Sequence, residues 1–258
     1  MPDLAWTALA SAVLIALVQL AAFGWSRRVG RWDVADVVWG PGIAAIALLG
    51  LGTGHGGVWR RVAVALVVCA WAARLAIHIG RRSRSHDSDD PRYLRMAQGH
   101  STITTGLRVF GLQGLIQWVV SAPIQVVAVT SDPGGALVVL AVLGVVVAVA
   151  GLVIEAVADA QLTNYKQQQP RPPILDTGLW AWSRHPNYFG DACFWVGVYL
   201  VACAAGPGIL TVFSPVIMVS LLVWGSGARL LEKAMEGRPG YDEYRRDTPM
   251  FVMRPPSR

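Results

Sequence analysis

Seven stretches of this chain are apolar over about the length needed to cross a bilayer: Leu4 to Gly24, Val34 to Gly52, Val58 to Gly80, Leu107 to Val129, Ala136 to Ala158, Tyr188 to Ala205 and Ile209 to Ala228. A hydrocarbon core of about 30 Å takes about 20 helical residues. The backbone within it must satisfy its own hydrogen bonds, so helices are the default. The chain has 258 residues, 54% hydrophobic and 15% charged, against about 25% charged in soluble domains. Seven spans leave short loops and no room for a separate soluble domain. The reading is therefore an all-α polytopic membrane protein, residues 1–258 forming one seven-helix domain.

Net charge is +6, and in a membrane protein such an excess reports orientation before it reports any partner. With the N-terminus outside, 19 of the 22 Lys and Arg residues fall in the inner loops and tail, leaving Arg60 and Arg61 outside and Arg74 within a span. This predicts N-terminus out and C-terminus in, and argues against nucleic acid as a partner. Cys69, Cys193 and Cys203 all lie in apolar stretches, so neither a disulfide framework nor a cysteine metal site is expected. Gly52 to Gly57 fits GxGxxG, but no strand precedes it and it joins two spans on the outer side. A flexible turn is expected there, not a dinucleotide fingerprint.

Outer links are short and rich in Gly, Pro and Ser, whereas the inner segments 81–106 and 161–187 and the tail 232–258 concentrate Arg, Asp, His, Asn, Gln and Tyr. Chemistry is expected on the inner side. The densest run is Asp176 to Asp191, which contains Trp180, Ser183, Arg184, His185, Asn187, Tyr188 and Asp191. A cation, an imidazole, an amide and several aromatic faces so close together suit a large anionic cofactor, with Arg184 able to take phosphate bidentately. An interfacial aromatic belt explains Trp180, Trp182 and Tyr188 but not His185, Asn187 and Asp191.

Glu155 and Asp159 share a face of the fifth stretch, followed by Gln161, Asn164 and Lys166. Acids near hydrocarbon need partners or water, so this face lines a polar cavity or stands at headgroup level. Arg74 and His78 are one turn apart at the inner end of the third stretch. Arg74 is either a snorkelling anchor or a cavity-lining residue. Asp90, Arg92 and Tyr93 belong to a loop that folds over something or to a solvated charge run. Asp36, near the start of the second stretch, is either a proton donor or hydrogen-bond partner to substrate, or a flank acid. In the tail, Arg229, Glu232, Tyr241 and Tyr244 fit a cap over the same cofactor better than a membrane-surface helix.

The run Ser183-Arg184-His185-Pro186-Asn187-Tyr188-Phe189-Gly190-Asp191, preceded by Gly178-Leu179-Trp180, together with Asp90-Pro91-Arg92-Tyr93 and the closing Tyr241-x-x-Tyr244, resembles the bacterial family of unknown function 1295. That family is similar to the C-terminal domain of steroid 5-alpha-reductases. The resemblance implies a reductase in the cell (inner) membrane that holds NADPH in a cytoplasm-facing cavity and reduces an activated carbon–carbon double bond in a bilayer lipid. No obligate protein partner is implied. Asp159, Asn187 and Asp191 look like cofactor-contacting positions, and Arg229, Tyr241 and Tyr244 like the closing tail. Lys166, Arg171 and Arg184 would neutralise the phosphates, with Arg74, Arg92, Gln161, Asn164, Trp180, Ser183, His185, Tyr188 and Glu232 completing the implied site. Asp36 falls near the reductases' substrate-polarising Glu, but that acid's partner Tyr has no clear match, Trp71 being nearest. Asp36, His78 and Tyr93 are therefore the catalytic candidates.

Isoprenylcysteine carboxyl methyltransferases carry a similar Arg-His-Pro-x-Tyr-x-Gly run and a Tyr-x-x-Tyr tail. An S-adenosylmethionine-dependent methyltransferase is the alternative enzyme, although Glu232 is followed by Lys233 where that family has a second acid. A lipid binder or transporter without enzymatic activity is the third reading.

Overall fold

The computed structural model describes residues 2–84, 88–225 and 227–256. Met1, Ser85, His86 and Asp87, Ser226, and Ser257 and Arg258 of the tail lie outside the described residues. All regular structure among those described is helical: α1 Pro2–Val29, α2 Val34–Thr53, α3 Val58–Arg84, α4 Pro91–Ala97, α5 Thr102–Gly106, α6 Leu112–Val120, α7 Ala122–Val129, α8 Ala136–Gln167, α9 Pro186–Cys203, α10 Phe213–Ser220, α11 Ala228–Met235 and α12 Tyr241–Asp247. One-turn π segments, Leu107–Gly111 and Leu221–Gly225, precede α6 and follow α10.

Among the described residues five helical stretches are long and apolar enough to cross a membrane: Asp3–Val29, Val34–Thr53, Val58–Arg84, Ala136–Gln167 and Gly206–Met235. Thr102–Val120 and Ala122–Val129 add a sixth if this pair, bent by 45°, is one span. Pro123 in the first turn of α7 explains the break, because proline offers no N–H to the preceding turn. The sixth apolar stretch of the sequence becomes α9, whose first turns carry Asn187 and Asp191, and α9 is not among these spans. Large hydrophobics remain exposed along α1 and α8, such as Leu17, Leu20, Val139 and Val146, as suits helices facing lipid.

The chain has two compact units: 1–141 with 201–214, and 142–200 with 215–258. In the first, α2 packs on α1, α3 and α7. The end that carries the α2–α3 turn is tied by arginines. Arg60 is fully buried and donates to the Thr130 carbonyl (2.8 Å), to Asp132 (3.3 Å), and to the Ser131 carbonyl. Arg61 donates to the carbonyls of Leu51 (3.1 Å) and Gly54, the unpaired C-terminal acceptors of α2. These two cations serve helix ends. The end of the GxGxxG segment is the turn between α2 and α3, in which the Gly56 and Gly57 amides donate to the carbonyls of Ala128 (2.8 Å) and Thr130 (2.9 Å). A Cβ on Gly57 would overlap Asp132.

In the second unit, α8 and α9 meet along a seam of small residues. A Cβ on Gly151 would come within 2.4 Å of the Gly190 carbonyl, and one on Gly197 within 2.4 Å of the Ala148 amide. Close backbone approach through small residues is how helices associate in lipid, where burial of hydrocarbon gives no advantage. The seam aligns the polar ends of the two helices, Glu155 and Asp159 on α8 with Asn187 and Asp191 on α9.

Replacing Arg60 by Met should leave several acceptors around the α2–α3 turn unsatisfied and cost about 2–4 kcal/mol. Denaturant unfolding of the purified protein measures this, and Arg61→Met, whose acceptors lie at an exposed helix end, should cost less.

Candidate functional site

The first unit carries one polar cluster at the start of α2. The sequence Asp89-Asp90-Pro91-Arg92-Tyr93 builds it residue by residue. Asp89 accepts from the backbone amides of Trp32 (2.9 Å) and Asp33 (3.1 Å), tying the loop to the α1–α2 turn. Asp90 caps α4 by accepting from the Arg92 amide (2.8 Å), and Pro91 takes the first helical turn. Helix α4 then projects Arg92 and Tyr93 onto Asp36. The Tyr93 hydroxyl donates to Asp36 Oδ1 at 2.5 Å, and Arg92 Nη2 donates to Asp36 Oδ2 (3.2 Å) and Asp90 Oδ2 (2.9 Å). Gln113 Nε2, from α6, donates to the Tyr93 oxygen at 2.8 Å. Alongside, Arg31 pairs with Asp33 (2.5 Å), and Ser83 donates to the same carboxylate (2.8 Å).

Burial first, and then the Asp36 carboxylate, raise the Tyr93 pKa well above the ordinary phenol range, so Tyr93 stays protonated as a donor. Burial works against the Asp90 carboxylate, but the bonds and charge of Arg92 outweigh it and hold its pKa below the ordinary aspartate range. The loop does fold over something, and that something is Asp36. Asp36, the acid in the first turn of α2, is intermediate in exposure and paired with Arg92 and Tyr93. Trp71, on the third helix, is a fully buried core residue. His78 and Arg74 are half-buried on α3.

The second unit assembles the Ser183–Asp191 run against the tail. Ser183 accepts from the His185 amide (3.1 Å) and donates to the Phe251 carbonyl (2.9 Å). Arg184 grips Glu232 with two parallel bonds, Nε to Oε1 at 3.0 Å and Nη2 to Oε2 at 2.6 Å. Its Nη1 donates to the carbonyls of Arg245 (2.8 Å) and Thr248 (2.7 Å). His185 Nε2 lies 2.9 Å from Glu232 Oε1, and its ring stacks on Tyr188. The backbone joins in: the Arg184 amide donates to the Pro249 carbonyl, and the Arg254 amide to the Trp182 carbonyl, each at 2.9 Å.

Arg184 was expected to present its fork to a phosphate. Here four of its N–H bonds are spent on Glu232 and the tail, so its charge closes the tail. Ser183, His185 and Glu232 are likewise members of this clamp. Trp180 donates to the Ala158 carbonyl (3.1 Å) and accepts from the Tyr244 hydroxyl at its own carbonyl (2.7 Å), so Trp180 and Tyr244 tie the loop to α8 and the tail. Gln161 accepts from the Leu179 amide (3.0 Å). Burial raises the Tyr244 pKa. Burial, and then Glu232, push Tyr241 up to about 12, although the buried Tyr241 hydroxyl makes no well-formed hydrogen bond among the described residues.

Beside this clamp, Asn187 Nδ2 donates to Asp159 Oδ1 at 3.0 Å, leaving Asn187 Oδ1 buried and without a hydrogen bond among the described residues. Glu155 and Asp191 are buried nearby in the sequence of the same two helices. Asn164, Lys166, Arg171 and Arg229 are exposed, Arg229 lying over the Trp224 ring and Arg171 over Tyr165.

Gln113 was not among the residues singled out from sequence. A signal existed: Gln113 and Gln117 are polar residues four apart inside an apolar stretch, and such residues generally have a partner to satisfy.

These two clusters, one on each unit, define an all-helical membrane protein whose sequence motifs fold loop and tail back onto helix ends. A family model described as a protein of unknown function, DUF1295, matches residues 22–248. The chain belongs to this family. No curated protein and no solved structure matches it.

At pH 7 Asp90 is ionised and its cap on α4 is intact. Its folded pKa is depressed, so the stabilisation is complete above the unfolded value near 4 and is lost as pH falls through the lower folded value. Protection factors of residues 91–97, corrected for the intrinsic pH dependence of amide exchange, should therefore fall below about pH 4, and Asp90→Ala should show the same loss at pH 7.

Proposed function

We propose that the chain is a membrane-embedded reductase that uses NADPH to saturate an activated carbon–carbon double bond in a lipid of sterol, isoprenoid or fatty-acyl type. The proposal includes seven spans, with α9 the short sixth, and an N-terminus-out orientation in the inner membrane with the active site facing the cytoplasm. The distribution of Lys and Arg supports that orientation.

The observation that carries the reading is the 2.5 Å bond between Tyr93 and Asp36. Steroid 5-alpha-reductases pair a substrate-polarising acid with a tyrosine, and this bond gives Asp36 the tyrosine that the sequence lacked at the corresponding helix. A carbonyl oxygen that takes the Tyr93 proton in place of Asp36 is polarised where negative charge develops. Gln113 and Arg92 fix the geometry, and the raised pKa keeps the phenol from acting as a base.

For the cofactor, the second unit offers Asn187 Oδ1, a buried acceptor that the N–H of a carboxamide-bearing ligand would satisfy. The exposed Lys166, Arg171 and Arg229 suit its phosphates better than Arg184 does. NADPH, when bound, supplies a hydride; Asp159 holds the Asn187 amide so that its oxygen accepts.

Calorimetry on the purified protein should show NADPH binding and no binding of S-adenosylmethionine, with Asn187→Leu weakening NADPH at least tenfold. Tyr93→Phe should leave NADPH affinity unchanged and lower turnover of an enone lipid by about 10²–10⁴. Binding of S-adenosylmethionine alone would replace this reading with the methyltransferase.

A further inference from the structure

Helices α1 and α3 of the first unit are longer than a bilayer core is thick. Their 28 and 27 residues rise about 40 Å, against about 30 Å of hydrocarbon. Arginines mark where α3 leaves that core: Arg61 and Arg81 are 20 residues apart, about 30 Å of rise. The last turn of α3 therefore stands at headgroup level. So does the last turn of α1, because the two helix ends are joined. Arg31 Nη1 donates to the Ser83 carbonyl (2.9 Å), and the Ser83 hydroxyl donates to Asp33 (2.8 Å), which Arg31 also holds.

The arginines at the two ends of α3 are used differently. Arg60 and Arg61, in its first turn, are turned onto backbone carbonyls. Arg27 and Arg28 at the end of α1, and Arg81 and Arg84 at the end of α3, are exposed, and among the described residues none of the four has a carboxylate partner. The described acids of this end are already claimed: Asp33 by Arg31, Asp36 and Asp90 by Arg92, and Asp89 by the amides of Trp32 and Asp33. Positive charge is thus left uncompensated at the depth where a bilayer places its phosphates.

Below these cations the same helix faces are apolar. Ile77 precedes Arg81 by four residues and Arg84 by seven, a spacing that shares one face, and it is 54% exposed. Trp25, three residues before Arg28, is 46% exposed. A soluble polyanion would match the charge and leave this apolar surface bare, whereas an amphiphile with an anionic head covers both. Arginine forks take phosphate oxygens in pairs. A zwitterionic phospholipid brings its own cation and no net charge for them to attract.

We propose that the joined ends of α1 and α3 bind anionic phospholipid, with Arg27, Arg28, Arg81 and Arg84 on the headgroup phosphates and acyl chains over Trp25 and Ile77. The inference goes beyond the reductase reading. It requires only that these helices cross a bilayer, and it holds for whichever leaflet this end meets.

The test is native mass spectrometry of the full-length protein, released from micelles that hold equal amounts of phosphatidylglycerol and phosphatidylcholine with the same acyl chains. Phosphatidylglycerol should be retained at least about fivefold over phosphatidylcholine, the preference that even one cation near a lipid surface confers. Replacing the four arginines together by Gln should bring that ratio near one. Lys233→Gln with Arg238→Gln, which removes two exposed cations of the second unit, should leave it unchanged. In the wild type, about 0.5 M ammonium acetate should collapse the ratio by screening, a result that needs no variant to fold. Equal retention of the two lipids, a ratio unmoved by the fourfold substitution or by salt, or an equal loss in the second-unit variant would each overturn the proposal. Displacement of the lipid by a soluble acidic peptide or an oligonucleotide of matched charge would also overturn it, by assigning the surface to a soluble polyanion.

Discussion

Charge at the end of an apolar helix has to be neutralised where it stands, and the bidentate pair between Arg184 and Glu232 is where this chain does so most completely. Two parallel bonds, two backbone carbonyls and the adjacent His185 enclose one carboxylate and one guanidinium that would each be costly alone. The rest of the second unit is arranged around that pair. It fixes the start of α9, brings α12 and the following strap back along residues 182–184, and leaves the Asp159–Asn187 pair at the polar end of the α8–α9 seam. The same logic operates in the first unit, where Arg92 divides its fork between Asp36 and Asp90 and thereby seats Tyr93.

Much of the architecture was legible because hydropathy is a local property. Apolar stretches of the right length mark helices directly, and the crowding of polar residues into segments 81–106, 161–187 and the tail marked where interactions would occur. Motif membership was also legible, since SRHPNYFG and DPRY are contiguous runs. What they do was harder to read. Tyr93 and Asp36 are far apart in sequence, and no pattern within either helix records that a capped seven-residue helix carries one onto the other.

Arg184 illustrates the opposite failure. A guanidinium next to His, Asn and aromatic residues has the composition of an anion site, and composition does not reveal that Glu232 of a later helix has claimed it. The break between α6 and α7 and the polar start of α9 have local causes in Pro123, Asn187 and Asp191. A simple count of apolar residues passes over both. Gln113 and Gln117 were overlooked for a related reason: in an apolar stretch two glutamines barely change the average, yet each must find partners there.

The central claim is that Arg184 and Glu232 act as one unit that holds the tail. A double-mutant cycle with Arg184→Met and Glu232→Met, read by denaturant unfolding of the purified protein, measures their coupling directly. Mutual dependence predicts that the double variant is more stable than the sum of the single losses allows, with a coupling of roughly 1–3 kcal/mol. Additive losses, agreeing within about 0.5 kcal/mol, would contradict it.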